Sequence, residues 1–349
     1  MTSMRAWRTH QYGAPAEVLT LDSVPVPAPD PGEVVVKVEA VPLNLNDLER
    51  ITGGNMMVRP GLPSIPGMEV MGTVDACGDG AGDMLGRRVV AMTKAAHGGF
   101  AEYAVCPAAS AYDMPDSIPL PGAAALYFPF HLAWLGLIER AELQAGETVL
   151  VHAAAGGSGS AAVQLAVHAG ARVFATAGTD DKVRLCRELG ADVAVNYTTE
   201  DFAEVVLAET ANAGVDVVFD NVGEAVMEKS MQCTRYNGRY LMMGFASNKT
   251  VADEPFVVPR RVALGNFKLC GVLLAYQPPA VVDLVKTGMG WNFAPAALGA
   301  RIMGDIVDLV LAKKVKPVVG QVVSFEEIPA AIEAMARRAT VGRTVALVG

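Results

Sequence analysis

The chain has 349 residues, enough for about two domains with full cores, which excludes a small disulfide-stapled module. Apolar residues make up 52% and charged residues 19%, too much to bury and too little charge for a disordered chain. Lys plus Arg number 28 against 37 Asp plus Glu; the formal charge of −9 repels a phosphate backbone and excludes general nucleic-acid binding, while leaving room for a local basic pocket for one small anion.

The segment Met1 to Tyr12 carries charge and no apolar run of the signal-peptide kind, so a cytoplasmic protein is expected. The proline-rich stretch Val24 to Gly32 is a turn-rich lead into Glu33 to Ala40, where crowded β-branched residues predict a strand. Apolar runs at Glu69 to Val74 and Arg88 to Met92, with Phe100 to Val105 after the Gly98-Gly99 turn, extend this to a partly open β-rich domain. Gly122 to Ile138 comes nearest to a membrane span. It holds Pro129 and His131, however, and falls short of the roughly 18 residues a spanning helix needs, so it predicts a buried core helix and no membrane insertion.

Beyond Ala123 the period changes. Thr148 to His152 is a continuous apolar run, Ser158 to Ala169 has helical spacing, Arg172 to Thr176 is again a strand and Asp180 to Leu189 again a helix. Val193 to Asn196, Val215 to Asp220, Arg239 to Met243 and Lys268 to Val272 continue the alternation. Strands apolar on both faces and separated by helices predict an α/β unit with a doubly wound parallel sheet. Helices at Met303 to Lys313 and Ile328 to Arg338 precede a last strand, Arg343 to Val348. That strand most simply returns to the first domain, so residues 126–268 are expected to form a dinucleotide-binding domain inserted between 1–125 and 269–349. The cysteines, Cys77, Cys106, Cys186, Cys233 and Cys270, lie far apart with no C-x-x-C pair, which argues against a zinc knuckle and suits a reducing compartment.

The strongest local signal runs from Val149 to Ser160, where Gly156, Gly157, Ser158 and Gly159 follow a strand and open a helix. Backbone N–H groups at such a helix start, with the positive end of its dipole, hold a pyrophosphate, and glycine lets the oxygens come close. Against G-x-G-x-x-G the first glycine is Ala154, so the weight lies in the strand-turn-helix context. The bland alternative is a glycine-rich turn used for close packing. The second strand ends Ala177-Gly178-Thr179 without the carboxylate that an NAD site places on the ribose hydroxyls. A 2′-phosphate is tolerated there, with Lys182 and Tyr197 as its cation and hydroxyl; Asp180 and Asp181 read as caps of the next helix, and a solvated surface lysine is the alternative for Lys182.

These residues, together with Val195-Asn-Tyr197, Asp216 to Gly223, Gly238 to Gly244 and Ala339-Thr-x-Gly342, make the chain resemble, over nearly its whole length, the zinc-free quinone oxidoreductase (zeta-crystallin-like) branch of the medium-chain dehydrogenase/reductase superfamily. The resemblance implies a Rossmann domain inserted in a GroES-like β-rich catalytic domain, NADPH as cofactor, and a homodimer. Zinc-dependent members carry a histidine where this chain has Met68, in Pro66-Gly-Met-Glu69, and a cysteine near Asn44; no metal is expected. Asn44 and Asp47 match the family's Asn-x-x-Asp, with Asn44 approaching the nicotinamide and Asp47 fixing the loop, against ordinary turn capping. Gly178, Asn221, Gly244 and Phe245 are implied as contacts along the dinucleotide, with Arg338 near its phosphates and Arg343 a second cation; either arginine otherwise reads as a surface charge. The substrate pocket departs from the familiar members, with Glu49, Asn55 and Leu132 where tyrosines and a threonine are common. Tyr127 and His131 are the nearby candidate proton donors, His131 otherwise being a core histidine; His10, His97, His152 and His168 read as loop or structural residues. The expected activity is NADPH-dependent hydride transfer to a quinone or other conjugated carbonyl without zinc. The alternatives are a double-bond reductase of enoyl thioesters or enals and a weakly catalytic NADPH-binding protein.

Overall fold

The computed structural model describes residues 2–54, 60–244, 257 and 259–349. They divide into two compact units, one of Met1–Tyr127, Ala275–Leu311 and Val319–Gly349, the other of Phe128–Leu274 and Ala312–Val318.

In the first unit the strand Glu33–Pro42 is central. It pairs antiparallel with Glu69–Cys77 on one edge and with Tyr103–Pro107 and the C-terminal strand Arg343–Leu347 on the other. Val34, Val35 and Val36 are all buried because both faces of this strand are covered, which is why its sequence lacks a clean polar alternation. Arg88–Met92, Ala111–Asp113 and Val319–Ser324 complete the sheet, and Ser3–Thr9 with Leu19–Pro25 forms a separate hairpin. Helix Leu45–Thr52 leaves the end of the central strand and stops at Gly53, whose φ of 80° is the left-handed conformation that glycine adopts without strain.

The second unit is a six-stranded, wholly parallel sheet in the spatial order Val193–Asn196, Arg172–Ala177, Thr148–Val151, Val215–Asp220, Thr234–Met242, Lys268–Gly271. Counting from Thr148–Val151 this is 3-2-1-4-5-6, so the order in which strands are added reverses beside the first strand, and the crevice outside the carboxyl ends of strands one and four is where such sheets bind ligands. Val149, Leu150, Val151, Val217, Val218 and Phe219 are fully buried, as the continuous apolar runs require.

The unit boundaries differ from those expected. Lys268–Gly271 pairs with Thr234–Met242 and so belongs to the parallel sheet. Residues 312–318 also join that unit, Lys316 being tied to Gln164 by two hydrogen bonds of 2.9 Å. The single buried helix expected at Gly122 to Ile138 is three pieces: a 3-10 turn Ala123–Ala125, an α-helix Tyr127–Trp134 and a π-helical Leu135–Arg140. Helix Pro279–Met289 and strand Val319–Ser324 were not anticipated, and the helix expected from Met303 begins at Ala296. All five cysteines are free, and among the described residues no helix is long and apolar enough to cross a membrane.

Candidate active site

At the carboxyl end of strand Thr148–Val151 the chain turns through Ala153, held at φ 48°, and enters helix Gly157–His168 with Gly156 as its N-cap. The Ala154 N–H donates to Thr176 O at 3.0 Å, locking the loop to the second strand. A Cβ at Gly159 would lie 2.2 Å from the Ala153 carbonyl oxygen, so only glycine lets the helix start against this turn. Gly156, Gly157 and Ser158 remain partly exposed, at a helix start whose first-turn N–H groups have no intrahelical acceptor.

The second strand ends at buried Ala177, followed by Gly178. Tyr197, after the third strand, brings its hydroxyl over Gly178, where a Cβ would stand 2.6 Å from Tyr197 Oη. Thr179 caps helix Asp180–Glu188, accepting from the Lys182 N–H at 3.3 Å. This corrects the expected caps: Asp180 accepts from Asn196 Nδ2 at 2.7 Å and Asp181 pairs with Arg184 at 2.8 Å. Lys182 is half-buried, and burial lowers the pKa of its ammonium. At the fourth strand Asp220 accepts from the N–H groups of Val222 and Gly223, each at 2.8 Å, and from the Tyr240 hydroxyl. This shapes the turn at Asn221, whose Oδ1 is buried without a partner. A Cβ at Gly244 would meet the Asn221 carbonyl carbon at 2.0 Å, so these two predicted residues share one tight crossing. Gly156 to Gly159, Gly178, Lys182, Tyr197, Asn221 and Gly244 thus all sit at the carboxyl ends of one sheet. Phe245 lies outside the described residues.

Asn44 and Asp47 belong to the first unit, in a buried polar cluster that sequence reading missed. The Asn44 N–H donates to Asp47 Oδ2 at 2.9 Å and the Met68 N–H donates to Asp47 Oδ1 at 3.0 Å. Asn44 Nδ2 donates to Pro42 O (3.2 Å) and to Glu69 Oε2 (3.0 Å), while Asn44 Oδ1 accepts from Arg343 Nη1 at 2.7 Å. Both amide protons are therefore engaged, and what Asn44 has left is acceptor capacity. Arg343 is 6% exposed and pairs with Glu69 at 3.1 Å, so it is no surface charge. Arg338 is exposed at φ 57° beyond helix Ile328–Ala336, on the first unit and apart from this cluster in sequence and burial.

Burial pushes Asp47 up to about 6 in spite of its two N–H donors and the Arg50 charge. The folded pKa lies above the unfolded value of about 3.9, so the group's contribution is fully present below that value and is lost as pH rises through about 6, a loss of roughly 3 kcal/mol by pH 7. Urea unfolding at a series of pH values should show wild type losing about 3 kcal/mol relative to Asp47→Asn between pH 4 and pH 7. Parallel profiles for the two proteins would rule out a titrating Asp47.

The candidate proton donors are interior. His131 is fully buried and burial pushes it down to about 3, leaving a neutral core imidazole; Tyr127 is buried beside Tyr112, with its pKa raised by burial. His152 bridges Thr176 (3.0 Å) and Ser230 (2.7 Å) inside the second unit, while His10 meets Asp22 at 2.8 Å on the surface. His168 is exposed, Glu49 lies on helix Leu45–Thr52, Leu132 is 9% exposed on helix Tyr127–Trp134, and Asn55 lies outside the described residues.

Comparison with known proteins matches this architecture. Residues 157–287 match the zinc-binding dehydrogenase family model and residues 30–116 the alcohol dehydrogenase GroES-like domain. Human quinone oxidoreductase is 32% identical over 254 residues, covering 72% of this chain and 76% of that protein. A 2-haloacrylate reductase of a Burkholderia species is 34% identical over 253 residues, 71% of this chain and 75% of that protein. The structure of mycobacterial Rv1454c complexed with NADPH superposes with a TM-score of 0.84 at 29% identity over 99% of this chain and 100% of that one. With a GroES-like domain, a Rossmann sheet and relatives of this similarity, the chain belongs to the quinone oxidoreductase-like family of the medium-chain dehydrogenase/reductase superfamily and is an oxidoreductase that binds a nicotinamide nucleotide.

Proposed function

We propose that the protein is an NADPH-dependent, zinc-independent reductase of quinones or other electron-poor conjugated carbonyls. The observation that carries the cofactor choice is the second strand's end, where Gly178 stands without a neighbouring ribose-binding carboxylate while Tyr197 and Lys182 lie close by. The residues present suit a dinucleotide: the loop Gly156, Gly157, Ser158, Gly159 for the pyrophosphate, Lys182 and Tyr197 for a 2′-phosphate, and the orphan Asn221 Oδ1, with Gly244, further along; Phe245 is assigned to the dinucleotide by the family resemblance alone. Arg338 is the proposed cation on the first unit. NADPH, when bound, supplies the hydride.

Zinc independence rests on donor chemistry. Met68 is 4% exposed and offers a thioether, and Asn44 has both amide protons engaged. Among the described residues no group of three or more His, Cys, Asp or Glu is placed to hold a metal. Asp47 holds the start of helix Leu45–Thr52, and Glu69 and Arg343 fix the Asn44 amide, so the catalytic role assigned to Asn44 is that of an oriented acceptor.

Similarity to a 2-haloacrylate reductase favours one second reading, reduction of an activated carbon–carbon double bond. A small molecule is the proposed partner, in a cytoplasmic homodimer. Loss of nicotinamide absorbance on mixing the protein with NADPH and a panel of quinones, enones and enoyl thioesters tests the proposal. Turnover that persists after chelator washing is expected; tight NADPH binding with no turnover on any acceptor would instead favour a weakly catalytic NADPH-binding protein.

A further inference from the structure

Arg50 lies one turn beyond Asp47 on helix Leu45–Thr52 and is 6% exposed. Its Nη1 stands 3.7 Å from Asp47 Oδ1, near enough for charge attraction and too far for a hydrogen bond. The Asp47 oxygens are already taken by the Asn44 and Met68 N–H groups. Arg50 Nε and Nη1 are consequently buried donors with no hydrogen-bond partner. His97 is in the same state, with both ring nitrogens buried and unpartnered. Burial, and after it the charge of nearby Arg50, pushes His97 down to about 4, so its imidazole is neutral. The loop carrying it is well anchored: Lys94 pairs with Asp30 at 2.8 Å and Glu33 at 2.7 Å, and Thr93 Oγ1 donates to Gly67 O at 2.8 Å.

A buried guanidinium with unmade hydrogen bonds is a costly group, and proteins keep such groups where something completes them. What completes a buried guanidinium with unpartnered N–H groups is an anionic group with many lone pairs, for which a carboxylate is the common match to arginine, and the one N–H of a neutral imidazole adds a further donor to it. In sequence Arg50 lies between Glu49 and Asn55, the positions that family resemblance associates with the substrate pocket. We propose that Arg50 and His97 form a subsite for the carboxylate of the acceptor, making the preferred substrate class a small α,β-unsaturated carboxylic acid. This rests on the reading that the protein reduces conjugated carbonyl acceptors with NADPH.

The test compares 2-chloroacrylate, its amide and neutral benzoquinone as acceptors with NADPH, alongside calorimetric titration of acrylate into the NADPH-bound protein. For the wild type, kcat/KM for the acid should exceed that for the amide by about thirtyfold, and Arg50→Gln should bring the ratio to about one, with Arg50→Lys between. Acrylate binding should be lost in Arg50→Gln. A wild-type ratio near one, which needs no variant to fold, means that a water molecule fills the site and overturns the inference; so does a ratio that survives Arg50→Gln. Quinone turnover without preference for the acid leaves the proposed function standing while removing this subsite. If no acceptor turns over, that function fails, and the acrylate titration alone decides the subsite: binding lost in Arg50→Gln supports it and no binding overturns it.

Discussion

Arg343→Ala should destabilise the protein by about 3–5 kcal/mol, the largest effect of any single substitution considered. The Glu69 side chain is 1% exposed and the Arg343 side chain 7% exposed, 3.1 Å apart, so removing the guanidinium strands a carboxylate in the core. Asn44 loses the donor on its Oδ1 in the same step. Thermal unfolding should fall by roughly 10 °C for a unit of this size. Arg343→Lys should recover part of the loss, because a point-like ammonium cannot serve Glu69 and Asn44 together as a planar fork does. Replacing the pair together, Glu69→Gln with Arg343→Met, should cost less than Arg343→Ala, since no unpaired charge is then left behind. If Arg343→Ala changes the unfolding free energy by less than about 1 kcal/mol, the pair is not closed in solution.

This cluster shows where sequence reading stops. Glu69 begins one strand and Arg343 begins another 274 positions later. Nothing local marks either as buried, because a charge at a strand end ordinarily faces water. Their pairing exists only once the terminal strand has docked on Glu33–Pro42. Asp47 was visible as a cap because its bond to the Asn44 N–H spans three residues. The parallel sheet was legible for the opposite reason: Val149-Leu150-Val151 and Val217-Val218-Phe219 are apolar on both faces, and that composition has few other uses. Helix Pro279–Met289 is hard to see in the sequence because a Pro278-Pro279 pair masks its start, although Pro279 opens the helix at its first position, and because none of its residues is buried. Thr179 was overlooked as a cap since Asp180 and Asp181 are equally good candidates by type, and only the backbone at φ −148°, ψ 157° singles it out.

The two polar regions solve opposite electrostatic problems. Around Asn44 charges are paired and withdrawn from water, and the Asn44 amide is held between Glu69 and Arg343. At the sheet ends the polar groups are open or half-open: Tyr197 is 45% exposed, Lys182 is half-buried and Asn221 Oδ1 has no partner. A formal charge of −9 repels a dinucleotide phosphate at long range, so affinity for one must come from close contacts of this kind.

Lys182→Ala therefore tests the proposed 2′-phosphate contact. A charge-assisted hydrogen bond at a half-exposed site is worth about 1–2 kcal/mol, so NADPH affinity should fall roughly five- to thirtyfold. NADH affinity should stay within about twofold, because NADH offers only a ribose hydroxyl at that place. Burial lowers the Lys182 pKa, and a phosphate beside the ammonium would oppose that shift. The helix itself should survive: its cap bond uses the residue-182 backbone N–H to Thr179 Oγ1, which alanine retains. Fluorescence titration of both nucleotides against wild type and variant gives the ratio directly, and raising the salt should narrow the wild-type preference toward that of the variant. Equal losses for NADPH and NADH would place Lys182 away from the phosphate and make Tyr197 the next local partner to test.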